Sequence, residues 1–285
     1  MNWYLFKVIT SATLAILLGW FGASFVFKAG NKVLALKSIP RELLYQSVSA
    51  SGSSLEETHR YYIPEDAPPA PNIKAKSFVI ADLLTGNILL EKDGEVAYPI
   101  ASVTKLATAD VALEQNLATT TLYYPLLLES SNTAADKIAA SFGTKTFMQW
   151  MNDFATRLSM TRTHYDDPSG ISPKNVSSAE DLLILARHIY SQKPEMLSMT
   201  LLPAKDKWRN NNLFVIKRTD YYIGGKSGYT PEAGGTLMAF FDLPLSNGQI
   251  RPIVVILLGT ETAVGLKYEV AGTLTSYLAQ YVSYK

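Results

Sequence analysis

The order of expected elements makes this chain an α/β fold in which both chain ends complete one sheet around an all-helical insert. Three observations carry that reading. Short apolar runs of strand character come first, at Phe78–Ala81 and Asn87–Glu91. A long middle stretch has helical spacing, and strand-like runs then return ahead of a last amphipathic segment.

The first two runs are joined by Asp82-Leu83-Leu84-Thr85-Gly86, which suggests a hairpin. In the middle, Thr146-x-x-Gln149 has the form of a capping box, and Phe147, Trp150, Met151, Phe154 and Leu158 recur at helical spacing as a core stripe. A second box, Ser177-x-x-Glu180, opens a helix expected to run through Tyr190. Strands are expected at Leu213–Lys217, Tyr221–Gly224, Leu237–Leu243 and Ile250–Leu258, the last two joined near Asn247-Gly248. Val270, Leu274, Tyr277, Leu278 and Tyr281 then mark an amphipathic helix.

Composition removes several function classes. With 26 basic and 25 acidic side chains the formal charge is +1, so a nucleic-acid groove driven by bulk positive charge is not expected. The absence of cysteine removes disulfides, thiolate nucleophiles and Cys-ligated metal sites. His59, His164 and His188 lie far apart and outside any H-E-x-x-H pattern, so neither metal nor cofactor is expected. An apolar content of 47% supports a sizeable core.

Val8–Phe27 is uncharged and bracketed by Lys7 and Lys28. As a helix it would reach about 30 Å, the thickness of a bilayer's hydrocarbon core. Residues 1–30 are therefore read as a transmembrane anchor, or as a signal cleaved near Gly22-Ala23-Ser24. From residue 31 to 76 serines give way to Pro64, Pro68, Pro69 and Pro71, a flexible and then stiffened linker. Residues 77–285 form the remaining domain. Lys28, Lys32, Lys37 and Arg41 after the span outnumber Lys7 before it, a bias that by itself would keep the domain in the cytoplasm.

Three patterns carry chemistry. Ser102-Val103-Thr104-Lys105 puts a serine and a lysine on one helix face, so the amine can approach the hydroxyl. At its ordinary pKa only about one lysine in 2,500 is neutral at pH 7, so burial or a second cation must depress it if it is to act as a base. Ser130-Ser131-Asn132 offers a second serine with an amide two residues on, and Gly224-Gly225-Lys226-Ser227-Gly228-Tyr229 sets a lysine among glycines at a strand end. Taken singly, each has an ordinary reading as a helix cap or a solvated turn. Their joint order and context do not.

The sequence resembles the penicillin-recognising serine enzymes, with their Ser-x-x-Lys, Ser-x-Asn and Lys-Thr/Ser-Gly motifs. Within them it is similar to the low-molecular-weight D-alanyl-D-alanine carboxypeptidases, in the stretches IASVTKLATA, LLLESSNTAAD, MTRTHYDDPSGIS, SSAEDLLILARHI, NNNLF and GGKSGYTPEAGG. The resemblance implies a β-lactamase/transpeptidase-like fold, with an antiparallel sheet flanked by helices and an all-helical subdomain. It makes Ser102 the acylated nucleophile, Lys105 its base and Ser130 the relay to the leaving amine. Asn132 would bind the substrate amide, while Lys226 would help keep Lys105 neutral and attract the terminal carboxylate of a D-Ala-D-Ala peptide. Ser227 would bind that carboxylate. Backbone N–H groups of Ser102 and Tyr229, beside Gly228, would form an oxyanion hole. Peptidoglycan peptides are the implied substrate and β-lactams the covalent inhibitors.

The spacing departs from the family. Only 28 positions separate Ser102 from Ser130, so Gln115–Tyr124 must close a gap usually filled by cleft walls, and a more open cleft is expected. A β-lactamase of class A type would use a glutamate for deacylation, but Glu180 and Glu195, the glutamates between Asn132 and Lys226, lack the asparagine four residues on. The same motifs would also serve a cross-link endopeptidase, or a domain that binds peptidoglycan or β-lactams without turnover. Asp166 and Asp167, followed by Pro168-Ser169-Gly170, read as a loop and not as a carboxylate pair. Because peptidoglycan lies outside the cytoplasmic membrane, this chemistry requires a single-pass anchor with the domain outside, against the local charge bias.

Overall fold

The computed structural model describes residues 26–29, 32–35, 61–117, 120–245, 248–261 and 266–284. Two compact units divide the chain, Met1–Thr58 and His59–Lys285. In the first, β1 (Val26–Ala29) pairs antiparallel with β2 (Lys32–Ala35). The apolar run Val8–Phe27 lies outside the described residues apart from Val26 and Phe27, which fall in β1. Among the described residues no helix is long and apolar enough to cross a membrane.

The second unit begins within the stretch that composition assigns to the linker. There β3 (Tyr61–Tyr62) pairs with the C-terminal Ser283–Tyr284, the Tyr277 hydroxyl donates to the Pro68 carbonyl at 2.6 Å, and Ile73 and Ala75 are buried. Next, β4 (Ser77–Asp82) is buried at every position, as expected of a strand covered on both faces. It turns through Asp82, whose Oδ1 accepts from the Thr85 N–H at 2.8 Å, into β5 (Ile88–Lys92), realising the expected hairpin.

After β6 (Tyr98–Pro99) and a single 3-10 turn (Ala101–Val103), the helical subdomain follows. It contains α1 (Thr104–Glu114), α2 (Thr120–Leu127), α3 (Asn132–Ser141) and α4 (Thr144–Arg157). β7 (Val176–Ser177) pairs back to β6, and α5 (Ala179–Gln192) and α6 (Pro194–Leu201) return the chain to the sheet. Both capping boxes lie elsewhere than the sequence suggests. Gly143, at φ 81, starts α4 three residues early, so Thr146 falls inside its first turn. At α5 the cap is Ser178, whose Oγ accepts from the Asp181 N–H at 3.1 Å, because Ser177 is held in β7.

A short hairpin, β8 (Ala204–Lys205) with β9 (Trp208–Arg209), precedes a correction. Leu213–Lys217 is not a strand: Leu213–Ile216 forms α7, a single helical turn capped by the Asn212 side chain, which accepts from the Phe214 N–H at 3.0 Å. An apolar run this short has no decisive period, and the asparagine before it decides the outcome.

The main sheet is finished by β10 (Tyr222–Thr230), β11 (Gly234–Pro244) and β12 (Ile250–Thr260), followed by α8 (Leu266–Tyr281) and β13 (Ser283–Tyr284). Its order is β10-β11-β12-β4-β5, antiparallel throughout, so β4 from the front of the domain lies beside β12 from its end. Alternation splits the sheet's side chains between two cores. Val79, Met238, Phe240, Val254 and Ile256 face the helical subdomain, while Ile80, Leu237, Ala239, Val255 and Leu257 pack against Ala271, Leu274 and Leu278 of α8. At about 1.5–3 kcal/mol for each large apolar side chain fully buried, this double coverage holds the sheet together, and β10 is one of its two edge strands.

Candidate active site

The position of Ser102 is fixed by two close backbone approaches. Ala101, just before Ser102, has φ 47, a conformation that L residues adopt at a cost of about 1–3 kcal/mol. An ideal Cβ on Gly170 would lie 1.9 Å from the Ala101 carbonyl oxygen, so only glycine lets that loop pass. From the other side, a Cβ on Gly228 would lie 2.6 Å from the Ser102 nitrogen and 2.6 Å from Thr236 Oγ1. The glycine of Lys-Ser-Gly is therefore what allows β10 to touch the serine's turn. Thr236 Oγ1 donates to the Ile100 carbonyl at 2.9 Å and ties the turn to β11.

Lys105 is fully buried one turn beyond Ser102. Its Nζ lies 2.8 Å from Ser102 Oγ, 2.7 Å from Asn132 Oδ1 and 2.5 Å from the Ser169 carbonyl oxygen. An ammonium has three donors and no acceptor, whereas a neutral amine has two donors and one lone pair. The same three contacts therefore fit a neutral Lys105 that donates to Asn132 and Ser169 and accepts the Ser102 proton. Burial lowers the Lys105 pKa to about 8, against a smaller upward pull from Asp167 and Asp136. At that value about a tenth of the molecules carry a neutral amine at pH 7.

Lys226 is also buried, on β10, and its Nζ donates to the Ser227 carbonyl at 2.8 Å. Burial, and then repulsion from Lys105 and Lys267, hold it well below the ordinary lysine value. The sequence reading has Lys226 helping to keep Lys105 neutral. Burial is the leading cause of the low Lys105 value, and the repulsion between the two buried lysines works against both being charged at once.

Ser130 occupies a turn at φ 60, half-buried, and among the described residues its hydroxyl has no hydrogen-bond partner. Ser131 next to it caps α3 by accepting from the Ala134 N–H at 3.2 Å. The structure thus brings Ser102, Lys105 and Asn132 into direct contact and seats Gly228 against the Ser102 turn. Ser227 is half-buried beside Lys226, and Tyr229 is exposed at the strand edge. Gln115–Tyr124 is bridged largely by α2, which delivers the chain to the Ser130 turn; positions 118–119 lie outside the described residues.

Supporting residues escaped the sequence reading. Asp167 is not a second catalytic carboxylate but the hub of the loop carrying Ser169. Its Oδ1 accepts from the Ser169 N–H at 2.7 Å and the Gly170 N–H at 2.6 Å, and its Oδ2 from the Ser172 N–H at 2.6 Å and Asn175 Nδ2 at 2.9 Å. Burial opposes its charge, but these hydrogen bonds prevail and hold the carboxyl below its usual value. Asn211 braces the Ser130 turn by donating from its N–H to the Leu128 carbonyl and from Nδ2 to the Glu129 carbonyl, both at 3.0 Å. Lys267 and Tyr268 on α8 also reach β10, and both precede the stripe that marks that helix in the sequence.

A serine paired with a desolvated lysine at a sheet edge, under a helical subdomain, defines a serine peptidase of the acyl-enzyme type, a hydrolase. The chain belongs to the D-alanyl-D-alanine carboxypeptidase family, whose sequence profile matches residues 65–119 and 111–260. It is 29% identical over 202 residues, 58% of this chain and 69% of the relative, to a D-alanyl-D-alanine endopeptidase of Haemophilus influenzae. It superposes on a D-alanyl-D-alanine carboxypeptidase of Mycobacterium tuberculosis with TM-score 0.65 and 27% identity, over 75% of this chain and 94% of the other. Penicillin-binding protein D2 of Listeria monocytogenes, solved in an ampicillin-bound form, shares the fold at TM-score 0.65 and 23% identity, over 74% and 99% of the two chains.

Proposed function

We propose that this protein removes the terminal D-alanine from D-Ala-D-Ala peptidoglycan stem peptides through an acyl-enzyme on Ser102. The observation that carries the proposal is the single Lys105 amine shared among Ser102 Oγ, Asn132 Oδ1 and the Ser169 carbonyl. Neutral Lys105 takes the Ser102 proton as Oγ attacks the penultimate carbonyl. The C–N bond to the terminal D-alanine then breaks, and the proton reaches the leaving amine by way of Ser130. Water next attacks the ester, giving its proton back through Lys105, so that Ser102 is regenerated and a shortened peptide leaves. The N–H groups of Ser102 and Tyr229 hold the oxyanion in both steps; losing one such donor typically costs about 3–4 kcal/mol. Asn132 orients the substrate amide, while Lys226 and Ser227 receive the terminal carboxylate.

Cutting of cross-links is a second reading, favoured by the likeness to the Haemophilus endopeptidase. Class A β-lactamase chemistry is not favoured. Glu180 sits by Gly94, and among the described residues neither Glu180 nor Glu195 hydrogen-bonds Ser102, Lys105 or Lys226. Mass spectrometry of muropeptides after incubation with the purified protein separates the readings: loss of one alanine from pentapeptides supports the carboxypeptidase, and conversion of dimers to monomers supports the endopeptidase. Muropeptides left unchanged would overturn both.

We further propose that residues 1–30 anchor the chain in the cytoplasmic membrane with the catalytic unit outside, and that β-lactams acylate Ser102. The support is the uncharged run Val8–Phe27 together with a substrate found only beyond that membrane. Protease added to intact spheroplasts should remove the catalytic unit; protection until the membrane is broken would overturn this topology.

A further inference from the structure

Lys267 and Tyr268 are consecutive residues near the start of α8, outside all three motifs, and only 3% and 7% exposed. Their polar ends meet the Lys226-Ser227-Gly228 strand. The Tyr268 hydroxyl donates to Ser227 Oγ at 2.8 Å, and Lys267 Nζ donates to the Gly228 carbonyl at 3.0 Å. We propose that both are positioning residues for the substrate-facing edge of β10: Tyr268 fixes Ser227 as a donor to the substrate carboxylate, and Lys267 fixes the peptide whose N–H receives the oxyanion. The inference rests on the function proposed above and explains how that site would select a substrate with a free carboxylate.

Proton counting supports the role of Tyr268. A hydroxyl has one proton and two lone pairs. Ser227 accepts the Tyr268 proton, so its own proton is left for another acceptor. With the Tyr268 proton seated in a Ser227 lone pair, the Ser227 proton is turned away from α8. A donor oriented before the substrate arrives need not reorganise when it binds.

Peptide planarity supports the role of Lys267. The Gly228 carbonyl and the Tyr229 N–H are opposite ends of one planar trans unit, so holding the oxygen aims the N–H the other way. Gly228 lies against the Ser102 nitrogen, the other proposed oxyanion donor. A stabilising role alone would be better filled by an apolar side chain, because burial lowers the Lys267 pKa to about 8 and its charge also burdens Lys226.

The test compares acylation by benzylpenicillin and by its methyl ester, followed by intact-protein mass spectrometry. The serine oxygen joins the lactam carbonyl carbon, the ring C–N bond opens, the proton passes to that nitrogen, and the whole compound adds to the protein. Tyr268→Phe should lose about tenfold on the acid and much less on the ester, narrowing the acid-to-ester ratio, and Ser227→Ala added to it should narrow the ratio no further. Lys267→Met should slow both compounds by a similar factor of about ten, with Lys267→Gln, which keeps a donor, recovering part of the loss. Equal slowing of both compounds in Tyr268→Phe would overturn the role of Tyr268. Unchanged rates in folded Lys267→Met, or equal losses in Met and Gln variants, would overturn that of Lys267. If the wild-type protein takes up neither compound, the proposed function itself fails, a result distinct from either.

Discussion

Two buried charges sit five residues apart on α1, Lys105 and Asp110, and their partners make them opposites. Asp110 faces two nitrogens: His188 Nε2 lies 3.1 Å from its Oδ2, and the cationic Lys193 Nζ lies 3.9 Å from its Oδ1. One turn on, Glu114 pairs with Arg157 at 2.6 Å. Lys105 meets three neutral oxygens instead, and its nearest carboxylates act on it too weakly to offset burial. An ion met by its counter-charge is neutralised and becomes part of the packing. An ion stripped of water and given only neutral acceptors holds its proton loosely, and on this helix that ion lies beside the nucleophile.

If the comparison is right, substitutions at the two places should separate rate from stability. The largest effect is expected for Lys105→Arg, which keeps the positive charge but cannot release a proton. Acylation by a labelled penicillin should fall at least about a hundredfold in a folded protein, the scale of general-base catalysis. Gly228→Ala should come next. Its Cβ would press on the Ser102 nitrogen at 2.6 Å, forcing β10 away from the turn and slowing acylation by about tenfold or more. His188→Ala should do the reverse, lowering stability by about 1–3 kcal/mol in urea unfolding because Asp110 loses its nearest partner, with the acylation rate per folded molecule kept within about twofold. Arg157→Ala, at a pair that is more than half exposed on the arginine side, should cost under about 1 kcal/mol and leave the rate alone.

Much of this site could be read in the sequence because its motifs are local. Ser102 and Lys105 share a helical turn, Ser130 and Asn132 flank the cap of α3, and Lys226-Ser227-Gly228 is one strand. The sheet was legible for a similar reason, since β4, β11 and β12 carry short continuous apolar runs bounded by turn residues. The features that stayed hidden join residues far apart in sequence. The Ser169 carbonyl reaches Lys105 from 64 residues away, on a loop that Asp167 holds through Ser169, Gly170, Ser172 and Asn175. No sequence pattern marks Lys267, and only the antiparallel return of β11 and β12 brings α8 over β10. Boundaries failed where two caps competed, as with Ser177 and Ser178, and where a single turn of helix, Leu213–Ile216, looked like a strand.

The central claim is that burial turns Lys105 into the base for Ser102, and the rate of Ser102 acylation by penicillin against pH tests it most directly. Folding lowers the lysine pKa, so the reactive neutral form is scarce below it and predominant above it. The rate should climb about tenfold per pH unit from pH 5 and level off near pH 8, the value to which burial brings Lys105, with peptide mapping placing the label on Ser102 throughout. A rate flat from pH 5 to 9, or one still climbing tenfold per unit beyond pH 9, would contradict the claim.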